Sequence, residues 1–225
     1  MPASWQPPTQ SGSGVIRLEA FLTSTLLVAV AEVGDKTQLL SFVLAARLKK
    51  PWPIIAGILV ATLANHGLAG AAGAWIAQWM PGQLLPLVTG IIFICFGLWT
   101  LHPDSLDGEP RLLASGVFMT TLLAFFLAEM GDKTQLATIA LGARYDTQVF
   151  WVVIGTTLGM MLANVPAVLI GHTLAERLPM KMIRYVAAAL FILTGLATIF
   201  FAGPSSAPVA APASPAHAGV SFRSV

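Results

Sequence analysis

Glu32, Asp35 and Lys36 lie in the apolar stretch AEVGDKTQLL, and Glu129, Asp132 and Lys133 lie in AEMGDKTQLA, 97 positions later. The chain has ten acidic residues, and four of them sit in these two settings. Carboxylates at i and i+3 on a helix project from neighbouring turns, and Gln38 and Gln135 extend each series at i+6. Oxygen donors of this kind suit hard divalent cations such as calcium, magnesium or manganese. Fully ionised, four carboxylates and two lysines carry a net charge of −2. One divalent cation would neutralise that charge, and so would two protons. The single cysteine, Cys95, excludes a thiolate cluster and an intramolecular disulfide.

The elements that must carry these groups are unusually apolar. Of 225 residues 56% are hydrophobic and 10% charged, against about 25% charged in an ordinary soluble domain, and the mean hydropathy is +0.79. Six long apolar segments, near 18–46, 52–79, 84–101, 112–143, 149–174 and 182–202, are separated by turn and charge signals. They are too long and too uniformly apolar for membrane strands, which need only about 9–11 alternating residues. An all-α polytopic membrane protein with six transmembrane helices in a lipid bilayer is expected. The net charge of +2 gives no sign of a nucleic-acid partner.

The motif repeat organises the chain. Phe21 matches Phe118, Arg47 matches Arg144, and LAN at 63–65 returns at 162–164. The expected division is a polar tail 1–17, a three-helix repeat 18–101, a connecting loop 102–111, a second three-helix repeat 112–202, and a Pro/Ala/Ser-rich disordered tail 203–225. An odd number of spans per repeat means that the halves enter the membrane from opposite sides, an arrangement common in transporters. With the N-terminus outside, seven Lys/Arg fall in inner loops and three in outer ones. The positive-inside rule then places both termini outside.

Glu32 lies 14 residues after Leu18, about 21 Å along a helix and well inside a core about 30 Å thick. A charge there costs about 2.5–3.5 kcal/mol on insertion scales, so the acids must meet each other, the lysines or a cation. Lys36 and Lys133 are read as pairing with an adjacent carboxylate, and release of their protons on metal arrival is the alternative. Gly34 and Gly131 suit either a local helix break that frees carbonyls or close packing. Thr37 and Thr134 are expected to hold the carboxylates by hydrogen bonds, while Gln38 and Gln135 serve as ligands or in that same holding role. Asn65 and Asn164 are expected to hydrogen-bond between helices. Gly67, Gly70 and Gly73 are expected to allow close helix contact, and His66 and His172 to be packing residues. Structural ion pairs alone are the bland reading of the motif, but one Asn or Ser would glue helices without burying six ionisable groups. No phosphate loop, nucleotide-binding pattern or nucleophile–base set is present, so no enzyme activity and no prosthetic group is expected.

The two motifs resemble the signature Glu-x-Gly-Asp-(Lys/Arg)-(Thr/Ser) of the small cation/proton antiporter family that includes a Golgi manganese transporter and bacterial manganese exporters. Val33 and Met130 fill the hydrophobic position, and the likeness covers residues 18 to 202. The resemblance implies exchange of manganese or calcium for protons, with Glu32, Asp35, Glu129 and Asp132 as ligands. Without the long leader and central loop of eukaryotic members, the chain resembles a bacterial plasma-membrane form that exports manganese. Calcium/proton exchange is the near alternative, and export of a small amine the more distant one.

Overall fold

The structure is a computed structural model that describes residues 11–102, 115–170 and 180–201. Most of the connecting loop expected at 102–111, His172 and the tail at 203–225 lie outside the described residues. Among the described residues the chain is helical: α1 (Ser11–Glu32), α2 (Lys36–Leu48), α3 (Pro51–Trp79), α4 (Leu84–Thr100), α5 (Val117–Glu129), α6 (Lys133–Arg144), α7 (Val149–Ile170) and α8 (Met180–Phe201). A short 3-10 turn, Asp146–Gln148, joins α6 to α7. α1 begins inside the stretch expected to be a polar tail. Gly14–Glu32, Pro51–Trp79, Asp146–Ile170 and Lys181–Phe201 are long and apolar enough to cross a membrane, and Leu84–Thr100 and Val117–Glu129 are shorter apolar helices.

Two of the expected continuous segments are broken. The first divides into α1 and α2 and the fourth into α5 and α6, each at its motif glycine: Gly34 has φ +83° and Gly131 φ +75°. A left-handed residue interrupts the right-handed ladder, and only glycine adopts it without a Cβ clash. Close packing is not the reason for the second glycine, since a Cβ on Gly131 would meet nothing within 4 Å. Of the two sequence-based readings, the break is the one found.

Small residues set how the helices run. Gly57 of α3 rests on Phe118 and Thr121 of α5, and further along Gly73 meets Ile139 and Ala143 of α6. Contact numbers rise together, so α3 runs parallel to the broken pair α5–α6. In the same way Gly155 and Gly159 of α7 climb α1 from Phe21 to Ala29, making α7 parallel to α1. Gly90 of α4 meets Ile199 of α8 while Gly97 meets Ala188 and Ile192, so α4 and α8 are antiparallel. Exchanging the halves turns α1–α7 packing into α5–α3, turns α2–α7 into α6–α3, and leaves α4–α8 unchanged; all of these contacts are present. Trp52 and Trp79 at the ends of α3 and Trp99 near the end of α4 are exposed, as residues of an interfacial belt are.

Gly70 and Gly73 make the close contacts expected of them, but a Cβ on Gly67 would meet nothing within 4 Å; its place on α3 is open. Gly73→Val is therefore expected to cost about 1–3 kcal/mol or more through overpacking, seen as a lower Tm in detergent. Gly67→Ala is expected to leave Tm unchanged or raise it through better helix propensity, by up to about 1 kcal/mol.

Candidate metal centre

Each motif begins on the last residue of one helix and ends in the first turn of the next. Glu32 closes α1 and Glu129 closes α5, while Asp35 and Asp132 are the N-caps of α2 and α6. The break leaves the glycine amides without a helical acceptor, and the glutamines supply one: Gly34 N–H donates to Gln38 Oε1 (2.8 Å) and Gly131 N–H to Gln135 Oε1 (2.7 Å). Both glutamines, expected as ligands or holding groups, thus spend their oxygens stabilising the break. The Asp35 amide reaches back to the Glu32 carbonyl and the Asp132 amide to that of Glu129, each at 3.1 Å. The two copies therefore share one local conformation.

The breaks meet at the centre of the protein, where Glu32, Asp35, Glu129, Asp132, Lys133, Thr37 and Thr134 are all buried. Each motif lysine reaches a carboxylate of the other motif. Lys36 Nζ lies 2.8 Å from Asp132 and Lys133 Nζ 2.5 Å from Asp35, a reciprocal exchange between the two halves. An adjacent carboxylate is the partner expected from the sequence; the structure gives each lysine one across the other break.

Glu32, Glu129 and Asp132 each place one carboxylate oxygen within 4.8 Å of the other two. Ionised together, two such charges repel by about 3 kcal/mol at an effective dielectric constant of about 20, so a cation or protons among them relieve a real strain. Thr37 Oγ1 donates to Glu32 Oε2 (2.6 Å) and Thr134 Oγ1 to Glu32 Oε1, which is the holding role expected of the threonines. Neither oxygen of Glu129 has a hydrogen-bond partner among the described residues. A buried carboxylate left without donors is costly and matches a place where a cation is received. The donor set is all oxygen, which fits calcium or manganese.

Asn65 Nδ2 donates to the Phe126 carbonyl of α5 (3.1 Å), and Asn164 Oδ1 accepts from Ser41 Oγ of α2 (2.7 Å). Both asparagines bond between helices. Ser41 and the Ala163 carbonyl, which accepts from Gln38 Nε2 at 3.0 Å, were not singled out from the sequence. Ser41 carried a signal nonetheless, because the motif offset puts the hydroxyl of Thr138 at the equivalent place.

Breaking the more buried ion pair should be severe. Lys133→Met is expected to cost about 3–5 kcal/mol by taking the ammonium away from the buried Asp35 carboxylate. The double variant Lys133→Met/Asp35→Asn should recover part of that loss, with a coupling energy of about 0.5–3 kcal/mol in a cycle of detergent melts.

The sequence of the chain also resembles those of known proteins. Residues 20–108 and 117–205 each match the sequence profile "Divalent cation/proton antiporter GDT1". A Vibrio cholerae protein named "Putative manganese exporter" is 52% identical over 79% of this chain and 89% of its own length. GDT1-like protein sll0615 of Synechocystis is 28% identical over 78% of this chain and 94% of its own. GDT1-like protein 5 of Oryza sativa is 27% identical over 83% and 96%, respectively. No solved structure matches the chain. With apolar helices of spanning length and a twofold profile match that includes both motifs, the chain is an integral membrane protein and belongs to the GDT1 family of divalent cation/proton antiporters.

Proposed function

We propose that this protein exports manganese from the cytoplasm in exchange for protons, by alternating access to one site that both halves build. The observation that carries the reading is the reciprocal pairing of Lys36 with Asp132 and Lys133 with Asp35, which draws acids from both motifs into one buried cluster. Glu32, Glu129 and Asp132 are the proposed ligands, and Asp35 is held ready on Lys133. The site's formal charge of −2 makes a divalent cation and a pair of protons equivalent loads. Loading either neutralises the cluster and lowers the cost of moving it past the apolar interior.

The repeats are proposed to be inverted three-helix units, 18–101 and 112–202. Helix direction supports this: α1 parallel to α7, α3 parallel to α5–α6 and α4 antiparallel to α8 are the relations that a twofold axis in the membrane plane produces. The excess of Lys and Arg in alternate loops supports both termini outside, in a bacterial plasma membrane. Manganese is favoured by the name of the Vibrio cholerae relative. The all-oxygen donor set suits calcium as well, and a panel of divalent ions in the flux assay decides between them.

Manganese-stressed cells carrying Glu32→Gln or Asp132→Asn are expected to accumulate the metal that the parent expels. Export by both variants at the parent's rate would remove the site assignment. In proteoliposomes, metal and proton fluxes recorded together are expected to run in opposite directions and to stop together in Glu129→Gln. Metal movement with no proton movement would remove the exchange.

A further inference from the structure

The two halves share a local design but differ in how it is closed. On one side of the break Gln38 Nε2 donates to the Ala163 carbonyl and Ser41 Oγ to Asn164 Oδ1, tying α2 to α7. The repeat equivalents are Gln135 with Ala64 and Thr138 with Asn65, and these ties are not made. Among the described residues, Thr138 donates to its own helix at the Thr134 carbonyl, Gln135 accepts from Gly131 alone, and Asn65 Oδ1 has no partner.

On that untied side a second set of polar atoms stands unsatisfied. Several described helical threonines return their hydroxyl to a carbonyl of the preceding turn, among them Thr25, Thr121, Thr138 and Thr198. Thr62 of α3 and Thr157 of α7 do not, and both are buried without a partner. His66, fully buried one turn after Thr62, has no partner at either Nδ1 or Nε2. Gly70, the next turn of α3, rests on Val149 and Val153 of α7, and Thr157 continues that α7 row by one turn. Register therefore sets Thr62, His66 and Thr157 along one α3–α7 seam. Asn65, bonded to the Phe126 carbonyl three residues before Glu129, links the seam to the carboxylates.

Leaving a buried hydroxyl or imidazole unpaired costs about 1–3 kcal/mol each, and a buried water satisfies such groups where it finds two to four polar partners. We infer that the α3–α7 seam of Thr62, His66 and Thr157 binds water and is the aqueous access of the cation to Glu129, while the α2–α7 ties seal the opposite side. Access then runs from the face where α6 turns into α7, to which the N-terminal part of α1 also belongs through the Tyr145–Glu19 hydrogen bond (2.9 Å). The inference rests on the transport reading for what enters the seam, but not for the seam's hydration.

Substituted-cysteine labelling of the full chain tests it, in a Cys95→Ser background, with a small charged methanethiosulfonate applied to right-side-out and inside-out vesicles. Thr62→Cys and Thr157→Cys are compared with Val152→Cys, equally buried on α7. Thr147→Cys in the exposed α6–α7 turn reports insertion and marks the face. Thiolates react and form only where water reaches them, so the seam positions are expected to react at least about tenfold faster than Val152→Cys, from the face of Thr147→Cys. Ser41→Cys should stay as slow as Val152→Cys from either face. Either seam position alone decides if the other variant fails to insert. Seam labelling no faster than Val152→Cys, or from the opposite face, overturns the inference, and rapid labelling of Ser41→Cys overturns the seal. Manganese efflux by the Cys95→Ser parent is read in the same vesicles. Efflux without seam labelling removes the seam and keeps the transport reading, whereas labelling without efflux removes the transport reading and keeps the hydrated seam.

Discussion

Charge buried in an apolar bundle has to find a partner, and here each motif lysine finds one in the other half. Lys36 reaches Asp132 and Lys133 reaches Asp35. Were each lysine to neutralise its own neighbour, the two breaks could lie apart, and four carboxylates would have no reason to converge. Crossing the pairs makes each half incomplete without the other. It also brings Glu32, Glu129 and Asp132 together as one oxygen cluster.

Crossing requires that the two motif helices stop at the same depth, and that depends on backbone chemistry. A left-handed glycine ends α1 and α5 beside a glutamate, and an aspartate opens α2 and α6 one residue later. The amide that the glycine leaves free would be a costly orphan in lipid, and a glutamine one turn on accepts from it. The motif is thus a folding device as much as a ligand set: Gly makes the break, Gln satisfies it, Asp stands at the N-cap of the next helix, and Lys ties it to the opposite half. Threonine completes the set by donating to Glu32 from both halves.

Much of this could be read from the residues. Four acids in an apolar setting demanded company, and the offset of 97 residues showed that the company came from a second copy. The helical class followed from segment length and uniform apolarity, and Thr37 and Thr134 bond to Glu32 while Asn65 and Asn164 bond between helices. What could not be read was geometry that depends on the fold. A lysine next to an aspartate in sequence gives no hint that it will also reach the aspartate of the other break. A glycine between two acids is equally consistent with packing or with a break until its φ and its surroundings are known. The different closure of the two halves is invisible to a repeat alignment, because equivalent residues such as Asn65 and Asn164 make different bonds.

The central claim is that acids from both halves receive one divalent cation between the two helix breaks. Anomalous scattering from crystals of the protein grown with manganese tests it most directly. A single manganese peak is expected at the break, within about 2.0–2.4 Å of oxygens from Glu32, Glu129 and Asp132, as for hard divalent cations on carboxylates. A manganese peak ligated by one half alone, or lying away from both breaks while the four acids stay paired with lysines and threonines, would contradict it.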